Sequence, residues 1–184
     1  KEKQVNVAYS TFKVIDENDD FVNSEKLSNS IKEILDGHKF NLVNGENSWL
    51  KIALEKNYTN LTSATAVRTN LAIKELFPNK RVSEDLHTWL RYGAHPGEFR
   101  FLNDTVTYYR IASGTESNSR SQNKNFYKKK ADTDVDGFFK ALKIFRHYNP
   151  NVNEKFINEI ISKFFFKEAV SIYYGNDIKN AKKR

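Results

Sequence analysis

Between Glu154 and Tyr174 the chain places Phe156, Ile157, Ile160, Ile161, Phe164, Phe165, Val170, Ile172 and Tyr173 at spacings that cover more than one face of a helix. A helix apolar around so much of its circumference has to be enclosed by other elements. This stretch, capped by Asn153, is therefore expected to run through the centre of the core. The rest of the 184 residues can supply the enclosure, since 39% are hydrophobic and 14 Phe, 9 Tyr and 2 Trp are among them. That is enough apolar surface to offset ordering entropy and to build one domain rather than two. Lys167 and Glu168 interrupt the most apolar run, Phe164 to Tyr174, so it does not read as a bilayer span. The absence of Cys excludes a disulfide framework, thiolate metal sites and a cysteine nucleophile. It leaves the compartment open, with the cytoplasm favoured by a small margin. The sequence opens at Lys1 rather than Met, as removal of a leader or a preceding domain would leave it.

Local patterns extend the helical expectation. Ser24 precedes Leu27, Ile31, Ile34 and Leu35 on one helical face, with Gly37 as a stop; Thr62 or Ser63 caps a helix closed by Pro78; Ser83 caps another that ends at Gly93. Asp136 or Gly137 opens a helix closed by Asn149-Pro150. Val5 to Ile15 is rich in Val, Tyr, Thr and Phe and suits a strand. Asn44-Gly45 signals a hairpin, although Trp49, Leu50, Ala53 and Leu54 fit a helix equally well. Phe99, Phe101, Val106, Tyr108 and Arg110 suggest two strands joined around Asn103-Asp104. The expected fold is mainly α, about five or six helices around the C-terminal one, with one or two small β-hairpins and a winged-helix order in the middle. The expected organisation is a single helical domain over 1–178, with a mobile loop at 114–130, followed by a basic tail at 179–184.

The net charge of +7 is unevenly placed. Arg120, Lys124, Lys128, Lys129 and Lys130 fall in one acid-free segment, and Lys179, Lys182, Lys183 and Arg184 in another. Removing these nine cations leaves 21 bases against 23 acids, so the basic character belongs to a loop and a tail. Cations attract phosphates with release of counterions, and exposed aromatics stack on unpaired bases. Lys128, Lys129, Lys130, Arg110 and the tail, together with Phe126, Tyr127 and Tyr109, therefore point to a non-catalytic nucleic-acid-binding protein. Single-stranded DNA or RNA is the favoured ligand, and a role in phage, virus or plasmid replication or packaging would fit. The competing expectation is a protein-interaction module, secreted or host-directed, whose basic segments only solvate it.

Other chemistry is thinner. Arg81 and His87, with five residues between them, suit the Arg–His pairing of one group of helical ribonucleases, in which His moves protons and Arg steadies the phosphate. A surface Arg and a half-buried His explain the pair more simply. Asp132, Asp134, Asp136 and Gly137 match the first half of a calcium loop, but Lys143 stands where its bidentate acid belongs. These acids read instead as the start of a helix. His38, His95 and His147 lack zinc-ligand spacing, so no metal and no cofactor is assigned. The winged order suits a groove reader, but Glu84 and Asp85 in the leading turn of the would-be recognition helix repel phosphates and argue against that use.

Overall fold

The computed structural model describes residues 4–55, 62–80, 82–111 and 126–174. Its organising element is the first strand rather than the last helix. β1 (Val5–Ile15) buries Val7 and Tyr9, then Phe12 and Val14, and the change of phase coincides with a register shift between Ser10 and Thr11. β4 (Glu98–Arg110) runs parallel to β1, with Phe99 opposite Val7 and Tyr109 opposite Val14. β3 (Thr65–Val67) lies antiparallel on the other side of β1, and β2 (Gly45–Glu46) antiparallel beyond β4, giving the order β2-β4-β1-β3. A parallel neighbour cannot be reached by a tight turn, so everything from Asp16 to Gly97 is one long crossover.

That crossover holds α1 (Asn29–Phe40), α2 (Ser48–Leu54), α3 (Thr69–Lys74) and α4 (Glu84–Ala94); α5 (Phe126–Tyr148) and α6 (Glu154–Tyr174) follow β4. The main core joins Val7, Tyr9 and Phe99 of the sheet to Trp49 and Ile52 of α2, Leu86, Trp89 and Leu90 of α4, Phe138 and Phe145 of α5, and Ile157 and Phe164 of α6. A smaller cluster joins Phe12 and Val14 to Leu27 and Ile34, at and on α1. His38 of α1 touches Tyr9, Phe12 and Phe101, so both clusters sit on the same sheet face. Tyr9 reinforces this layer: its hydroxyl donates to Val43 O at 2.8 Å and accepts from Val43 N–H at 3.0 Å, and burial pushes its pKa up to about 12.

These observations correct the mainly helical expectation. With six α-helices and one mixed four-stranded sheet among the described residues, the fold is α+β. The central helix is α4, buried at every position from Leu86 to Ala94, while α6 keeps Phe156, Phe166 and Tyr173 at the surface. A periodicity too broad for one face does not say how much of the circumference is covered. Two glycines let the helices close on α4. A Cβ at Gly93 would lie 2.6 Å from Trp49 N, and one at Gly137 would lie 2.8 Å from His87 Cα. Gly93 lies in the last turn of α4, which ends one residue later at Ala94.

The winged order also fails. Residues expected to be helical from Thr62 onward form a 3-10 turn and then β3, which completes the sheet edge, leaving only six residues for α3. Glu98 to Arg110 is one strand, in which Asn103, Asp104 and Thr105 have no β1 partner and form an irregularity instead of a hairpin turn. Asn44-Gly45 likewise gives no hairpin; Gly45, at φ +93°, opens the short β2. α1 starts after Ser28, whose Oγ accepts from Ile31 N–H at 3.4 Å, and passes through Gly37. α5 starts at Phe126, so residues 126–130, expected in a mobile loop, form its first turn; the remainder of that loop and the basic tail lie outside the described residues.

Two glycine substitutions should move stability in opposite directions. Gly37→Ala meets nothing within 4 Å and is expected to stabilise by about 0.5–1 kcal/mol. Gly93→Ala is expected to destabilise by roughly 1–3 kcal/mol. Urea unfolding of the two variants checks both signs.

Candidate nucleic-acid interface

All helices cover one face of the sheet, and the opposite face carries no helix among the described residues. Alternation along the paired strands sends Ala8, Lys13 and Ile15 of β1, and Arg100, Tyr108 and Arg110 of β4, toward that open face. The acidic turn after β1 adds a further ring. Asp16 accepts from the N–H groups of Asn18 and Asp20 at 2.8 and 3.0 Å, Asp19 takes φ +69°, and the chain returns so that Phe21 bridges Ile15. Phe21 is 64% and Tyr108 59% exposed, with ring centroids 6.1 Å apart and planes inclined by 32°. Lys13 Nζ lies 5.3 Å from the Phe21 ring centroid, a cation–π distance. Leu102 and Val106 extend the apolar strip along β4. Arg100 pairs with Glu98, and Arg110 with Asp19 and with Asp16 O.

The residues expected to bind nucleic acid are distributed differently. Arg120, Lys124, Lys182, Lys183 and Arg184 lie outside the described residues, as does Arg81. Phe126 and Tyr127 sit half-buried in the first turn of α5, their rings 5.4 Å apart. Lys128 pairs with Asp132 at 2.8 Å, Lys129 is exposed, and Lys130 is buried in an ion pair with Asp134. The expected triple-lysine clamp thus presents its first two members and turns the third inward, because the i+4 partner of Lys130, Asp134, is fully buried whereas that of Lys128, Asp132, is exposed. Tyr109 turns toward the core and packs on Phe12 at 6.0 Å. Its neighbour Tyr108 is the ring that reaches solvent. Strand alternation could have separated the two. Nothing local could have placed Phe21 beside Tyr108, since they meet only through the β1–β4 pairing.

A buried polar seam joins α4 to α5. Asp134 accepts from Ser83 Oγ and from Lys130, and Ser83 sits at φ +60° with its side chain committed to this contact rather than to capping α4. Lys167 on α6 donates to Ala53 O at the end of α2, and burial pulls its pKa down to about 8. His87 is 1% exposed, its Nε2 3.2 Å from Asp136 and its Nδ1 buried without a hydrogen-bond partner. In this position it does not face solvent, where a substrate phosphate would approach. Asp132, Asp134 and Asp136 lie within a helix, not at its start, and each is held by a basic side chain; among the described residues no acid or histidine cluster is arranged to hold a metal.

No family model matches the chain, and neither a curated protein nor a solved structure matches it.

The seam generates two expectations. Burial, followed by the charge of Arg91, holds His87 below its ordinary pKa of 6.5. The unfolded chain therefore binds this proton more readily, and the stability associated with neutral His87 is complete above pH 6.5 and lost as pH falls from 6.5 through the folded value. Thermal melts across this range should show the decline, and His87→Gln should flatten it. Asp134→Ala, which removes the buried carboxylate that Lys130 and Ser83 contact, is expected to destabilise by about 3–5 kcal/mol in denaturant titrations.

Proposed function

We propose that the protein binds single-stranded nucleic acid across the open face of its sheet, with unpaired bases stacking on Phe21 and Tyr108. The observation that supports this most is the adjacent exposure of these two rings beside Lys13. Large rings held in water on an ordered sheet are unfavourable unless something covers them. Bases supply flat apolar faces, and the phosphates between them supply the charge that Lys13 attracts. A duplex does not fit as well, because its bases are already stacked on one another. Two of the four acids in the turn beside the rings are engaged within the chain, Asp16 by the backbone of its own turn and Asp19 by Arg110. Lys128 and Lys129, with the basic segments outside the described residues, would add sequence-independent phosphate attraction.

Fluorescence-anisotropy titration tests the proposal. Short single strands should bind more tightly than duplexes, and affinity should fall steeply with salt. Tyr108→Ala or Phe21→Ala should weaken binding by about tenfold or more, as loss of a base-stacking partner does. Lys13→Ala should lower the salt slope by about one. Unchanged binding in both ring variants, with loss on Lys128→Ala and Lys129→Ala, would move the interface to the start of α5. Absence of binding would favour a protein partner.

A further inference from the structure

The segment joining α3 to α4 carries a separate exposed surface. Ile73 is 68%, Leu76 70% and Phe77 47% exposed, three large apolar side chains within five residues. Their backbone is nevertheless fixed from below. Arg91, buried on α4, donates through Nη2 to Leu76 O at 2.7 Å and through Nη1 to Glu75 Oε2 at 2.9 Å. The other oxygen of Glu75 lies 3.0 Å from His95 Nε2. Phe77 meets Trp89 edge-on at 6.1 Å, and Leu71 anchors α3 in the core. The one acid between Thr69 and Lys80 is thereby turned inward, and the segment's remaining charged side chains are the exposed Lys80 and the exposed Lys74, whose Nζ also reaches Tyr148.

We propose that this tip docks on an anionic membrane surface, with Ile73, Leu76 and Phe77 entering the headgroup boundary and Lys74 and Lys80 meeting the lipid phosphates. Three features support this occupant. A buried guanidinium holds in place a segment that carries three exposed apolar side chains, so their contact with water is not relieved within the described residues. The charged side chains that this segment itself leaves outward, Lys74 and Lys80, are both basic, as attraction to anionic lipid requires. The tip is also small. Three outstanding side chains fall well short of the roughly 800 Å² per partner of a stable protein interface, whereas a peripheral membrane contact needs only a few inserted side chains and a basic rim. Such a contact is compatible with the finding that, among the described residues, no helix is long and apolar enough to cross a membrane.

Vesicle flotation tests the assignment, using phosphatidylcholine vesicles with and without phosphatidylserine. The intact chain should float with the phosphatidylserine vesicles and not with the neutral ones. The double substitution Ile73→Ser and Leu76→Ser should weaken that association by about tenfold or more, with unchanged melting temperature and oligonucleotide binding. Lys74→Gln with Lys80→Gln should reduce the preference for phosphatidylserine. No flotation would overturn the proposal. So would equal flotation of the double-serine variant, because the attraction would then belong to basic segments elsewhere. A dimer that the serine substitutions convert to monomer in sedimentation would instead make the tip a contact between copies of the chain.

Discussion

The parallel pairing of β1 with β4 is the constraint on which the rest of the structure depends. Two strands separated by eighty-odd residues lie side by side from Val5/Glu98 to Ile15/Arg110. The chain between them must leave the sheet and return, and it does so by laying four helices over one face. α5 and α6 pack onto those helices rather than onto the other side. The result is two layers, with one sheet face buried by aromatic and aliphatic side chains and the other carrying basic and aromatic side chains beside the aliphatic Ile15, Leu102 and Val106. The candidate interface is a consequence of that asymmetry: the turn after β1 returns Phe21 beside Lys13, and the β1–β4 pairing brings Tyr108 to both.

The helical layer is held by close approach and by buried polar contacts acting together. Gly93 and Gly137 let α4 approach α2 and α5 at backbone distance, and such proximity brings polar side chains into the interior with the apolar ones. Asp134 is the most deeply placed of these, and it is compensated by Lys130 on its own helix and Ser83 on α4. Arg91 performs a related task at the other end of α4, where its guanidinium fixes the segment after α3. Buried ion pairs of this kind add little net stability over apolar packing, but their directionality favours one arrangement of the helices over sliding alternatives. In this protein they fix where α3 ends and how α5 is set against α4.

What could be read from the sequence was what depends on neighbours in the chain. β1 was legible from its β-branched and aromatic content, α6 from Asn153 and its apolar repeat, and α4 from the run after Ser83. The relations between distant segments were not. The pattern of α6 suggested a central helix, but covering it fully would have required more partners than the sheet and helices provide. Asn103-Asp104 looks like a hairpin turn because turn residues also suit strand irregularities, and only the partner strand tells the two apart. Thr65–Val67 reads as helix locally and becomes strand because the edge of β1 is there to pair with it. The candidate site was legible in kind more than in place. A mixture of basic and aromatic residues near β4 was visible, but Tyr109 and Lys130 turn inward, and Tyr108, Lys13 and Phe21 form the exposed group.

The most direct test of the central claim is photo-crosslinking of a uridine-rich single strand to the intact protein, followed by peptide mapping of the adducts. If the open sheet face is the binding surface, adducts should fall on the peptides containing Phe21 and Tyr108 and should be competed away by unlabelled single strand but not by duplex. Adducts confined to the peptides spanning residues 112–130 and 175–184, or no adducts above the level seen with unfolded protein, would contradict it.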